Sequence, residues 1–439
     1  MLQKTALILL LAATLPAAAE TLKHTLPNGM KVIIKEDRRA PVAVSRLWYK
    51  VGSLDEQPGK TGLSHALEHM MFKGTAKVPA GEFSRRVAAL GGRDNAFTSQ
   101  EETVYVTDLA VKNLPKVLEM EADRMANLNF SNKDFDNEMK VIREERRMRA
   151  EDDPSGKLWE HLMLNAYQNP AVRAPVIGYM ADLDKLKADD LRNWYRSWYA
   201  PKNATLVIVG DVNAKQTLGT VEKLFGAIPS RTLPQRNSLN EPLEREPKSA
   251  QTQAITAEPM FILAYRVPAL KQLGDTMPYA LDVLSEVLGG NNSSRLDKNL
   301  LRGSQKAADI NVGYDMLSRK PSSLFMVQAM PSTGTSVQEL AAEIRREIAD
   351  IAANGVSKAE LARVRTQMEA SEIYGKDSME AQAGLIGSLE ANGFSYQDEA
   401  ELRRRLAKVS AKDVQAAAKL LTPARETLMI VTPQKEGAK

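Results

Sequence analysis

Two of the four histidines in the chain, His65 and His69, stand four residues apart with Glu68 between them, in the stretch SHALEHMMF at residues 64–72. Residues four apart on an α-helix share a face, so both imidazoles can be presented to one point in space with the Glu68 carboxylate close by. Two imidazoles so placed can bind one metal ion, and a carboxylate next to them can take a proton from water and pass it on. A single histidine that fills a core gap or sits in solvent needs no further account. A pair at this spacing around a glutamate, in a chain this poor in histidine, fits that ordinary fate badly.

Catalytic zinc takes three protein ligands and keeps its fourth place open, so a third ligand must come from elsewhere in the chain. His24 lies in a hairpin-like stretch and His161 in a helical one, and neither has an obvious partner. Carboxylates are the better source. The helical stretch NEMKVIREERR, residues 137–147, puts Glu138 and Glu145 seven residues apart, two turns along one face, with Glu144 as an adjacent rival. Without the histidine pair, that stretch would read as a solvated helix laced with Glu and Arg pairs.

The elements that must position these groups follow from periodicity. Residues 21–50 alternate apolar and polar around Pro27-Asn28-Gly29 and predict a β-hairpin. Helical periodicity covers residues 62–72, 113–128 and 133–149, and the run from Thr205 to Val209 reads as a strand. Residues 229–248, with prolines and mixed charges, read as a linker between an N-terminal domain at 20–228 and a C-terminal one at 249–433. The pattern then returns. Asp190-Leu191 through Pro201 to Val209 matches Asp413-Val414 through Pro423 to Val431 at an offset of 222 to 223, and Ser131 to Phe135 matches Ser357 to Leu361 at 226. Two matches at nearly one offset predict a duplicated domain, and the mixture of long helices with alternating strands predicts an α+β class.

Bulk properties bound the rest. A length of 439 residues calls for two or more domains, and 43% hydrophobic with 26% charged residues fits a globular chain. The formal charge of +4 is spread without basic runs, which argues against nucleic acid as a partner. Met1 to Lys4 carries one positive charge, residues 5–15 are almost wholly apolar, and Ala17-Ala18-Ala19 offers small residues for cleavage, so residues 1–19 read as a secretory signal peptide. That apolar run is too short for a stable membrane span. The absence of cysteine means that an exported chain of this kind is held by its cores, and a bacterial periplasm is the expected compartment.

His65-x-x-Glu68-His69, followed by Met70-Met71-Phe72-Lys73-Gly74-Thr75 and a Glu-rich helix with Glu145 placed 76 residues after His69, resembles the inverted zinc-motif metallopeptidases of the pitrilysin and mitochondrial-processing-peptidase type. The likeness extends over nearly the whole mature chain, through Gly91-Gly92, Asn95-Ala96-Phe97-Thr98 and Pro201-Lys202-Asn203-Ala204. It implies one zinc ion per chain held by His65, His69 and Glu145, with Glu68 as general base. Glu138, seven residues before Glu145, is implied as the group that supports a ligand or tunes the water. Asn95 and Ala96 are implied to lie on an edge strand that pairs with a peptide substrate.

The second copy departs from the first: the helical stretch from Tyr279 to Leu288 has no histidine, and Glu145 maps to Ser371. In the resembling family such a copy closes over the first as the other wall of a chamber. An Arg and Tyr pair usually found in that wall is missing here, with Ala308 standing about where the Tyr belongs and Tyr314 and Arg319 as displaced alternatives. The resemblance therefore implies a partner chain of the same fold that supplies those groups, in a heterodimer or, second, a homodimer. The expected function is a zinc endopeptidase acting on peptides or unfolded segments. The alternative is a non-catalytic structural or peptide-binding subunit of the same fold in a hetero-oligomer.

Overall fold

The computed structural model describes residues 21–434. The segment read as a signal peptide, residues 1–19, lies outside the described residues. A six-stranded sheet is built from β1 (Thr21–Thr25), β2 (Lys31–Glu36), β3 (Val42–Tyr49), β4 (Arg93–Thr98), β5 (Thr103–Ala110) and β6 (Ala204–Gly210), in the order β1-β2-β6-β3-β5-β4. A five-stranded sheet follows from β7 (Lys248–Ala254), β8 (Met260–Pro268), β9 (Ala307–Tyr314), β10 (Ser322–Pro331) and β11 (Glu426–Pro433), in the order β7-β11-β8-β10-β9.

The two sheets have one plan. In each, the first strand of the common set pairs in parallel with the last strand of its half, as β2 with β6 and β7 with β11. The remaining neighbours in that set pair antiparallel. Only β1 has no counterpart; it forms the expected hairpin with β2, whose turn glycine Gly29 takes φ +89°. The chain is thus α+β in two related halves.

Among the helices that frame these sheets are α1 (Leu63–Met70), α2 (Leu114–Asn127), α3 (Asn132–Arg146), α4 (Pro154–Ala166), α5 (Ala188–Trp198), α6 (Thr276–Gly289), α7 (Val337–Asn354), α8 (Lys358–Gly375), α9 (Met379–Ala391) and α10 (Ala411–Ala418). The repeated sequence motifs lie on equivalent helix starts. Ser131 caps α3 and accepts from the Asp134 amide, and Ser357 caps α8 and accepts from the Glu360 amide, each within a reciprocal capping box.

Each sheet packs one face on the helices of its own half, and the other face is covered by a helix from the other half. Ile33, Val44, Trp48, Val207 and Val209 of the first sheet pack against Met379, Ala383 and Ile386 of α9. Ile262, Ala264, Leu324, Met429 and Val431 of the second sheet pack against Leu158, Leu162, Met163 and Ala166 of α4. The offset of 226 carries residue 154 onto residue 380, so α4 and α9 are the same element of the repeat, exchanged reciprocally. This explains why β6, ATLVIVG, is buried along its whole length: it is covered on both faces.

Two sequence expectations are refined. Helical periodicity continues to Arg149, but α3 ends at Arg146 and the chain runs through a wider π-type turn, Arg147–Asp152, before Asp153 caps α4 by accepting from the Gly156 amide. A side chain at Gly156 would collide with the Arg149 carbonyl oxygen, its Cβ only 1.7 Å away. The segment at 229–248 is irregular up to β7, yet it is a docked strap. Arg236 pairs with Asp55 at 2.7 Å, Asn237 donates to the carbonyls of Leu54 and Glu56, and Glu241 accepts from the amides of Gln168 and Asn169. No helix among the described residues is long and apolar enough to cross a membrane.

The exchanged helix α9 offers a direct test. A Cβ on Gly387 would lie 2.0 Å from the Trp48 ring, whereas Gly384 in the same helix faces open space. Gly387→Val is expected to destabilise the chain by about 2 kcal/mol or more through overpacking. Gly384→Ala should gain about 0.5–1 kcal/mol through helix propensity. Denaturant melts of both variants, followed by Trp fluorescence, check the contrast.

Candidate metal centre

α1 buries Leu63, Ala66, Leu67 and Met70 in the core of the first half. It begins at Gly62, whose φ of +89° suits glycine, and the buried Glu56 carboxylate accepts from the amides of Gly62 and Ser64 at 2.7 Å each. A carboxylate at a helix N-terminus satisfies donors that would otherwise be orphaned and complements the helix dipole. With its start fixed in this way, α1 directs His65, Glu68 and His69 toward the C-terminal end of α3, which is anchored in the same core by Phe135, Met139 and Ile142.

The imidazole Nε2 atoms of His65 and His69 lie 3.6 Å and 3.3 Å from one oxygen of Glu145, Oε2. The three possible ligand atoms are all within 4.8 Å of one another, and the two rings stand 4.7 Å apart between centroids. The other Glu145 oxygen pairs with Arg149 at 2.9 Å. Glu138 bonds His69 Nδ1 through Oε1 at 2.9 Å and pairs with Lys73 through Oε2, which leaves His69 Nε2 turned toward Glu145. Glu144 is 65% exposed and pairs with Arg147, away from the histidines. Of the two carboxylates that the sequence leaves open, Glu145 turns toward the histidines and Glu144 away from them.

The two imidazoles sit in different electrostatic surroundings. Burial, with the neighbouring His69 adding to it, lowers His65 to about 4. Burial alone would also lower His69, but its hydrogen bonds with Glu138 and Glu145 outweigh that and raise it to about 9. The hydrogen bond from His69 holds Glu145 below the usual carboxylate range. Burial raises Glu68, opposed by the hydrogen bond that Thr98 Oγ1 donates to Glu68 Oε2.

Two imidazole nitrogens and one carboxylate oxygen converging on one point form a donor set suited to zinc, with a carboxylate–histidine contact behind one ligand of the usual supporting kind. Asn95 and Ala96 lie on β4, the outer strand of the first sheet. The Ala96 amide donates to Asn95 Oδ1 at 2.9 Å. The same strand ends in Thr98, so its edge runs directly to Glu68. Sequence reasoning missed Lys73, Arg149 and Thr98. The first two were open to it, each lying four residues after His69 or Glu145, while the Thr98 contact depends on tertiary folding.

His24 and His161 are not brought to this cluster: His24 stands 3.5 Å from Glu222, and both are absent from the converging group. Tyr314 donates its hydroxyl to the Pro268 carbonyl at 2.6 Å, and Arg319 pairs with Asp55 at 3.0 Å, so both are held inside the fold. Ala308 is exposed on β9.

The chain matches the family description "Insulinase (Peptidase family M16)" over residues 31–179 and "Peptidase M16 inactive domain" over 185–368. The zinc protease PqqE of Helicobacter pylori is 31% identical over 390 residues, covering 87% of this chain and 86% of that protein. The uncharacterized zinc protease YmxG of Bacillus subtilis is 26% identical, with 94% of this chain and 98% of that protein covered. The chain belongs to peptidase family M16. A crystal structure of a protease from Helicobacter pylori superposes with a TM-score of 0.89 at 28% identity, covering 95% of this chain and 100% of that one. The first half of the periplasmic protease PqqL from Escherichia coli shares the fold, with a TM-score of 0.77 at 20% identity and 94% and 93% covered. All four histidines of the chain lie in its first half.

The cluster predicts a graded loss of metal. His65→Ala, His69→Ala and Glu145→Gln should each lower bound zinc well below one per chain after dialysis against a weak chelator. Glu144→Gln should match the unaltered chain. Glu138→Gln should weaken affinity by about 10- to 100-fold without abolishing binding. Metal analysis by inductively coupled plasma mass spectrometry, with chelator titration, checks the series.

Proposed function

We propose that this protein is an exported zinc endopeptidase that hydrolyses peptides or unfolded segments. The observation that carries the reading is the convergence of His65 Nε2, His69 Nε2 and Glu145 Oε2, with Glu68 projecting from the same helix as the two histidines. His65, His69 and Glu145 hold the ion, and Glu138 orients His69 through Nδ1. When bound, zinc supplies Lewis acidity toward a scissile carbonyl and toward water. Glu68 takes the proton from the attacking water at its carboxylate and returns it to the leaving amine. Burial favours this exchange, since it raises the proton affinity of Glu68 while Thr98 keeps one carboxylate oxygen in place.

The substrate is held along β4. An extended peptide added beside Asn95 and Ala96 takes main-chain hydrogen bonds in place of the contact from the Ala96 amide to Asn95, which places little demand on its sequence. The apolar stretch at residues 5–15 followed by Ala17-Ala18-Ala19 supports export to a periplasm. A partner chain of the same fold is the expected source of a second-wall Arg and Tyr pair. Tyr314 and Arg319 are engaged elsewhere and Ala308 offers no hydroxyl, which favours such an assembly over self-sufficiency.

Glu68→Gln tests the reading. This substitution is expected to leave zinc near one per chain and to lower the turnover of quenched fluorescent peptides by about 10²- to 10⁴-fold, the range a general base contributes. Undiminished, chelator-sensitive turnover in Glu68→Gln would remove Glu68 from this role. Zinc binding without cleavage by either form, alone or with a partner chain, would leave the non-catalytic subunit as the better account.

A further inference from the structure

A cavity of about 380 Å³ opens beside the metal cluster, between α1, the end of β4, the π-type turn, α4 and the loop after Arg173. His65 and Thr98 line it on the side of the cluster, Trp159 and Met163 line it from α4, and Val176 and Ile177 close it from the loop. Thr98 is the residue that holds Glu68, so a side chain in this cavity lies next to the bond under attack.

Its walls are mainly apolar, but three guanidinium groups border it: Arg146, Arg149 and Arg173. Two are already engaged. Arg146 forms a two-pronged pair with Glu160, and Arg149 pairs with Glu145 at 2.9 Å. The Arg173 guanidinium makes no ion pair or hydrogen bond among the described residues; only its backbone does, with its amide donating to Asn169 and its carbonyl accepting from Tyr179. A half-buried guanidinium left free at an apolar cavity is a ready partner for a planar carboxylate, which it can bind through two parallel hydrogen bonds.

We infer that this cavity is a specificity subsite that receives a carboxylate on the substrate residue flanking the scissile bond, with Arg173 as its partner. This rests on the peptidase reading above and deepens it. Apolar walls around one free guanidinium suit an apolar stem with an anionic tip, so a glutamate side chain fits better than aspartate. A free C-terminal carboxylate presents the same chemistry. A basic side chain would face Arg173 as a like charge.

The test combines cleavage and binding. The mature zinc-loaded chain is incubated with a peptide library in free-acid and C-terminally amidated forms, and cut sites are read by mass spectrometry. The expected result is enrichment of Glu over Gln by about tenfold or more at one of the two positions flanking the cut, a size typical of a charge-assisted hydrogen bond. Enrichment in both library forms assigns the cavity to a side chain, and cleavage confined near free C-termini assigns it to the terminal carboxylate. Arg173→Gln should erase the preference of Glu over Gln, and Arg173→Lys should restore part of it. Absence of enrichment at both flanking positions and at free C-termini, or enrichment that survives Arg173→Gln, would overturn the inference. Absence of all cleavage would count against the peptidase reading instead. The subsite is then decided on Glu68→Gln protein, by titrating matched Glu and Gln peptides in both terminal forms and following Trp fluorescence. Tighter binding of the Glu or free-acid peptide that is lost in Glu68→Gln/Arg173→Gln supports the subsite, and equal affinities overturn it.

Discussion

The apolar contact that each sheet makes with a helix from the other half is the constraint on which the remaining geometry depends. A strand such as β6, buried along its whole length and mostly apolar, cannot leave either face in water, and its own half covers only one. α9 supplies the second cover, as α4 does for the second sheet, and each fully buried Leu or Ile in these contacts is worth about 2 kcal/mol. By comparison, exposed pairs between the halves such as Arg39 with Asp377 add little. The exchange also reaches the metal cluster. Glu145 sits near the end of α3, the chain passes through one π-type turn, and α4 is already seated on the second sheet. The carboxylate is therefore held from two sides, by the core of one half and by docking onto the other.

Within that frame, two histidines on one helical face acquire different characters because only one of them meets Glu138. His69 carries a carboxylate behind Nδ1 and another before Nε2, which raise its proton affinity, whereas burial lowers that of His65. Lys73 offsets the charge of Glu138, and Arg149 offsets that of Glu145. Among the described residues, Glu68 meets no cation at hydrogen-bond distance and has a single hydroxyl donor, Thr98. The two carboxylates beside the histidines are thus each offset by a cation. Glu68 is left in an environment where burial raises its proton affinity, and that difference follows from which neighbour each side chain meets.

Much of this was legible in the sequence because it is local or repeated. The His-x-x-Glu-His spacing fixes a shared helical face, and the seven-residue spacing of Glu138 and Glu145 fixes a second one. The Ser caps at 131 and 357 mark equivalent helix starts, and the matching strands at β6 and β11 give the duplication. What was not legible is non-local. Apolar residues at helical spacing on α4 and α9 announce that each buries a face, but periodicity does not say against which sheet. The π-type turn begins at Arg147, several residues before the Asp153-Pro154 signal that starts the next helix, and it brings Gly156 close to the Arg149 carbonyl, a non-local contact. Prolines and mixed charges between 229 and 248 read as a linker, but they do not announce that Arg236, Asn237 and Glu241 fasten the segment down.

The duplication separates what the fold requires from what the chemistry requires. Both halves keep the parallel first pair, the capped helix, and the exchanged helix with its apolar face, because each sheet is incomplete without them. Only the first half carries the histidines, and the position that Glu145 occupies on α3 corresponds to the exposed Ser371 on α8. Loss of ligands from one copy costs the sheets nothing, since none of His65, His69 or Glu145 belongs to the apolar contacts that join the halves. The second half can therefore serve as cover and wall for the first without sharing its chemistry. A change at the metal cluster need not disturb the exchange, but a change in the exchange must reach Glu145, because α3 and α4 are one continuous run of chain.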